Sequence, residues 1–104
     1  MTDVIVTAVF RAAPGMRDAL IDALRRGIPA VHEEAGCVLY AIHDAADGSI
    51  VMLEKWTSTS ELDAHADGIA VKKLNELIGP FLAEPVTVTT MTPIPAGTAA
   101  QGVL

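Results

Sequence analysis

The chain has 104 residues and a formal net charge of −6, so it is read as one domain, and its acidity excludes the clustered Lys and Arg that nucleic acid or an anionic membrane would need. Hydrophobic residues make up 51% of it and the mean hydropathy is +0.41, yet no apolar run approaches the ~18 residues that span a bilayer. The surplus apolar surface points instead to a subunit interface.

The first stretch, MTDVIVTAVF, enters a strand at once (residues 4 to 10) and carries no basic leader, so a cytoplasmic location is expected. Pro14 and Gly15 break the strand. Residues 16 to about 32 read as a helix, because Leu20, Leu24, Ile28 and Val31 recur at three- and four-residue spacing. Pro29 weakens its last turn by removing a backbone donor, and Gly36 stops it after Glu33 and Glu34. A second strand, CVLYAIH, covers residues 37 to 43. Its Cys37, the single cysteine, has no internal disulfide partner and reads as a small hydrophobe rather than a nucleophile. Asp47-Gly48 supplies the positive-φ positions of a hairpin, and residues 49 to 56 form the third strand. Ser58 and Glu61 match a capping box for a helix that runs to about Asp67. Gly68 interrupts it, residues 69 to 78 continue helically, and Gly79-Pro80 ends the segment. The β-branched run 85 to 92 is a fourth strand. Residues 1 to 92 thus form the domain, and the Pro-, Gly- and Ala-rich tail 93 to 104 is expected to be loose or packed on a partner subunit.

The order β-α-β-β-α-β is the α+β, ferredoxin-like split βαβ arrangement. Right-handed crossovers place the helices on one face of a four-stranded antiparallel sheet. A sheet with one wet face should alternate apolar and polar residues. Here Val4, Val6, Ala8 and Phe10 share one face of the first strand, while Ile5 and Val9 flank Thr7 on the other. The second strand offers Val38, Tyr40 and Ile42 against Cys37, Leu39 and Ala41. The uncovered face would be an apolar patch larger than a soluble monomer tolerates. The expectation is a homodimer in which two sheets pack face to face as a dimeric α+β barrel.

Chemistry concentrates near residue 54. Period-two geometry puts Ile50, Met52, Glu54 and Trp56 on one strand face, and the following helix carries His65 back beside that strand's end. His65 is the candidate base, since imidazole is the side chain most easily tuned near neutral pH, with Glu54 as its holding or polarising partner. Trp56, Met52, Leu62 and Tyr40 are candidate substrate contacts, Trp56 as a wall for an aromatic ring. Each has an alternative structural reading: Trp56 as core or interface, His65 as a structural histidine, Tyr40 at the dimer seam. His43 reads as solvated and His32 as a helix-terminal cation. Asp63 and Asp67 flank His65 at two-residue spacing, which turns them away from it on a helix, so no metal site is assigned.

The strand-helix order, the run LEKWTSTSELDAH with Glu54-x-Trp56 and the later His65, and GPFL before the last strand together resemble the antibiotic biosynthesis monooxygenase superfamily over residues 3 to 92. The resemblance implies a dimeric α+β barrel and a cofactor-free oxygenase acting on a small quinol or polyketide-like aromatic with O₂. It also leaves other activities open. Haem-degrading members of the superfamily fit less well, because their strand Asn falls at Thr7 here and their helical His at Asn75. The superfamily further includes isomerases of small phosphorylated sugars, for which Arg11, Arg25, Arg26, Lys72 and Lys73 would be candidate anchors, and proteins with no assigned reaction, which leaves a non-catalytic binding or stress-related dimer.

Overall fold

The computed structural model describes residues 3–104. Strand β1 (Val4–Phe10) leads through helix α1 (Arg17–His32) to β2 (Cys37–Asp44) and β3 (Ile50–Trp56). Helices α2 (Thr59–Ala66) and α3 (Ile69–Ile78), a single 3₁₀ turn (Gly79–Phe81) and β4 (Thr87–Met91) follow. The sheet order is β2-β3-β1-β4, with every neighbouring pair antiparallel. This is the ferredoxin-like arrangement, in which each helical crossover skips one strand.

Local sequence explains most of these elements. Helix α1 buries Leu20, Ala23, Leu24, Gly27, Ile28 and Val31, the stripe of a one-sided helix. A side chain at Gly27 would run into Leu74 of α3, so the missing Cβ sets how closely these two helices approach. Ser58 caps α2 by accepting the Glu61 amide at 3.2 Å. The break at Gly68 separates α2 from α3 as the spacing predicts, and Pro29 sits inside α1 with the helix continuing to His32. At the β2–β3 hairpin only Gly48 takes positive φ (+90°). Asp47 instead accepts the Ser49 amide at 2.9 Å and the Ser49 hydroxyl at 2.6 Å.

The core lies between the sheet and the helices. It joins Val4, Val6, Ala8 and Phe10 to Tyr40, Ile50, Met52 and Trp56 below, and to the buried faces of α1 and α3 above. One face assignment changes. The β2–β3 register slips between Cys37 and Leu39, so Val38 is the extra residue of a bulge. It stands 55% exposed, while Cys37 packs against the core with Tyr40 and Ile42. A bulge reverses period-two parity for everything before it.

The open face carries Thr7, Val9, Leu39, Ala41, Val51 and Leu53, all partly exposed. The tail, expected loose or on a partner, reaches its own sheet here: Pro93, Ile94, Val103 and Leu104 gather with Met91 around Ile5. Lys55 donates to the Leu104 carbonyl oxygen at 2.9 Å and pairs with Asp3 at 3.6 Å. Among the described residues no helix is long and apolar enough to cross a membrane.

Candidate active site

A cleft of about 440 Å³ opens between the sheet and α2–α3, a volume within the range of small-molecule sites. Its floor is set by register. Val6 lies opposite both Glu54 and Thr90, and Glu54 lies opposite Tyr40, so one row across the four strands presents Tyr40, Glu54, Val6 and Thr90. Val88, Ala8 and Phe10 extend the floor, and Leu62, His65, Leu74 and Asn75 roof it. Polar groups gather at the Tyr40–Glu54–His65 end, and most of the remaining wall is aliphatic.

His65 is the best-supported side chain of that end. It is 6% exposed, yet it lines the cleft on one side and a second, shallower cleft with Glu34, Ser60, Glu61 and Ala64 on the other. Its Nδ1 lies 2.6 Å from Glu34 Oε1. Its ring packs over Trp56, with centroids 4.6 Å apart and planes tilted by 33°, and Tyr40 meets it edge-on at 5.4 Å. The expected His65–Glu54 pairing is replaced by His65–Glu34. Glu54 faces another group instead: Trp56 Nε1–H donates to Glu54 Oε1 at 3.0 Å. The Glu54–Trp56 bond follows from strand geometry, since residues two apart on one face can bond each other directly, whereas the His65–Glu34 pair joins segments 31 positions apart.

Of the residues singled out in the sequence, His65, Glu54, Tyr40 and Leu62 line the cleft. Trp56 and Met52 do not, because both are fully buried and form the layer beneath it. Trp56 therefore supports the imidazole and anchors the Glu54 carboxyl rather than walling a ligand. Asp63 reaches the cleft and Asp67 stays outside its lining. His32 bonds the Tyr40 carbonyl oxygen through Nε2 at 3.0 Å, and exposed His43 bonds the Val51 carbonyl oxygen through Nδ1 at 3.2 Å. Glu34 is the functional candidate that sequence reasoning passed over. Glu34 was visible only as a carboxylate near a helix end.

Burial pushes the Glu54 carboxyl above its ordinary pKa, while the Trp56 hydrogen bond and the His65 charge pull it back part of the way. Burial also raises the Tyr40 phenol far above its usual value, with Glu54 and Glu34 adding to the effect. Tyr40 is thus a neutral hydrogen-bond donor near neutral pH and not a base. The Glu54 shift predicts a pH-dependent cost. A carboxyl that holds its proton more tightly when folded leaves its stabilisation complete below the unfolded pKa and loses it as pH rises through the folded pKa. Glu54→Gln cannot ionise and still accepts from Trp56. Its melting temperature should match that of the wild type near pH 4 and exceed it by a few degrees near pH 8. A thermal-melt series across that range checks this, and equal temperatures at both ends would remove the burial argument.

The profile of the family described as antibiotic biosynthesis monooxygenase matches residues 3–77. The chain is 33% identical to "Putative monooxygenase Rv0793" of Mycobacterium tuberculosis over 92 residues, which is 88% of this chain and 91% of that one. It is 35% identical to "Probable quinol monooxygenase YgiN" of Escherichia coli over 85 residues, 70% of this chain and 82% of the relative. The solved structure of Rv0793 superposes with a TM-score of 0.82 at 31% identity, covering 93% of this chain and 100% of that one. The Shewanella oneidensis protein SO0527 gives 0.77 at 26% identity, with 88% and 90% covered.

Proposed function

Because this chain belongs to the antibiotic biosynthesis monooxygenase family, we propose that it oxygenates a small hydroxylated aromatic, a quinol or a polyketide-like phenol, using O₂ and no cofactor of its own. The observation that carries the reading is an imidazole backed by a carboxylate at one end of a mostly aliphatic cleft. An electron-rich ring gives an electron to O₂ readily only after it loses a hydroxyl proton, and a base held near the ring supplies that step. His65 is that base. Tyr40 and Glu54 line the same end and orient the substrate's oxygens.

The stoichiometry closes without an outside reductant. The deprotonated ring passes one electron to O₂, and the radical pair joins as a carbon–oxygen bond to give a peroxide. The peroxide's oxygen–oxygen bond then breaks. One oxygen stays on carbon as a carbonyl, and the other leaves as water with the proton held by His65 and the hydrogen lost from the ring carbon. The substrate supplies all four electrons. The aliphatic lining keeps bulk water from the intermediate. An isomerase of phosphorylated sugars would want cationic anchors in the site. Arg11, Arg25, Arg26, Lys72 and Lys73 are not among the cleft's lining residues, and Arg11 is engaged by Asp47 and Glu84.

The open face supports a homodimer with the two sheets face to face, because it leaves Val9, Leu39, Val51 and Leu53 partly exposed. Sedimentation at micromolar concentration should show a dimer. For the activity, oxygen uptake is measured with a hydroquinone and naphthol panel after metal removal. At least one member should consume one O₂ per molecule and gain one ¹⁸O atom from labelled O₂. A folded protein with no uptake above the blank across the panel would falsify the reading.

A further inference from the structure

We propose that Glu34 is the positioning residue that lets His65 act twice in one turnover, first as base and then as acid; the inference rests on the oxygenase reading and deepens it. The fold treats the two imidazole nitrogens differently. Nδ1 is 2.6 Å from the Glu34 carboxylate. An ionised carboxylate only accepts, so Nδ1 carries the hydrogen and Nε2 is the free basic nitrogen. Glu34 lines the outer cleft and not the inner one, whereas His65 lines both. Nε2 is therefore the nitrogen left for substrate.

Once Nε2 takes the hydroxyl proton, the ring is a cation between two groups that favour it. Glu34 provides a charge-assisted hydrogen bond, and the Trp56 face lies 4.6 Å away, centroid to centroid. The proton stays on Nε2 while the peroxide forms, and it then passes to the departing oxygen. The other titratable groups around the ring do not share this role. Glu54 is bonded to Trp56, Asp63 lies on the inner cleft and Glu61 on the outer one, and Tyr40 packs edge-on.

The fold also fixes Glu34 against α2. Its amide bonds the Val31 carbonyl oxygen at 3.0 Å, and Gly36, two residues on, turns the chain at φ +81°. A side chain at Gly36 would collide with Glu61 of α2. The missing Cβ thus lets the Glu34 loop sit directly on the helix that carries His65.

Glu34→Gln keeps the shape and an acceptor but removes the charge. Its kcat should fall by about 10²-fold or more, with KM little changed and the fold intact. Glu34→Ala should lose a similar factor and regain part of it on addition of formate, which a merely structural residue would not do. On the resting protein, nitrogen-15 spectra at a pH alkaline enough for a neutral ring should show Nδ1–H as the tautomer of His65, and Glu34→Ala should lose that preference. Unchanged kcat in Glu34→Gln, no rescue by formate, or a neutral wild-type ring with its proton on Nε2 overturns the proposal. If the wild type oxidises no member of the panel, the oxygenase reading fails by itself, and the nitrogen-15 comparison still decides the role of Glu34.

Discussion

Replacing His65 with Ala should leave a folded protein whose oxygen uptake is slower by roughly 10²- to 10⁴-fold, the span that a positioned general base contributes. The fold should tolerate the change because the partner left behind is not sealed in. The Glu34 side chain is 23% exposed to the outer cleft, so water can solvate its carboxylate once the imidazole is gone. The vacated space joins the inner cleft to the outer one, and free imidazole added to the assay should restore part of the rate. The fall should appear in kcat more than in KM, because the lost interaction belongs to proton transfer and not to ring binding. Measured on the best substrate of the panel, a variant that turns over at the wild-type rate would remove His65 from the chemistry. A variant that loses its melting transition before its activity can be read would instead make the histidine structural.

The second large effect concerns the layer beneath the site. Trp56→Ala should cost about 3–5 kcal/mol through the cavity it leaves, a large part of the ~5–15 kcal/mol that holds a small domain together. Trp56 is fully buried among Tyr40, Met52 and the α1 core, and the surrounding backbone is sheet, which collapses little. Trp56→Phe isolates the polar part of the same side chain. It keeps most of the ring but strips Glu54 of its indole donor, a loss worth roughly 1–3 kcal/mol for a buried acceptor. That loss should be smaller at acid pH, where Glu54 is protonated and needs the donor less. Urea denaturation of the two variants at pH 4 and pH 8 separates the terms. If Trp56→Ala lost less than about 1 kcal/mol, the packed layer under His65 would not exist as described.

The link between these two results is that the candidate base stands on the core's largest buried side chain. Its ring orientation is set by core packing on Trp56 together with the Glu34 hydrogen bond. Sites built on packed elements hold their geometry more closely than sites built on loops. A core change at Trp56 should therefore disturb turnover as well as stability.

Much of this arrangement was legible in the residues themselves. The i, i+3, i+4 spacing of Leu20, Leu24, Ile28 and Val31 marked α1. The Ser58–Glu61 pair marked the start of α2, and strict period-two geometry put Glu54 and Trp56 on one face with Met52. These are short-range rules: a turn, a pleat or a cap is decided within about four residues, so the chain carries the information locally. The position of His65 beside the end of β3 followed from the short connection between them.

Other features depend on contacts between distant segments. The bulge at Val38 arises from how β2 pairs with β3, and no periodicity in β2 announces it. The ring of Trp56 reads equally well as a wall or a floor until the layer above it is placed. The partner of His65 is the clearest case. Glu34 and Glu54 are chemically the same group, and sequence proximity favoured Glu54. Glu34 is 31 positions away from His65, and only the packing of α2 against the turn after α1 brings it within hydrogen-bond range. Sequence by itself determined the elements, their order and the chemical types gathered near β3. Tertiary structure alone decided which carboxylate holds the imidazole, because that choice is a distance between segments that share no local rule.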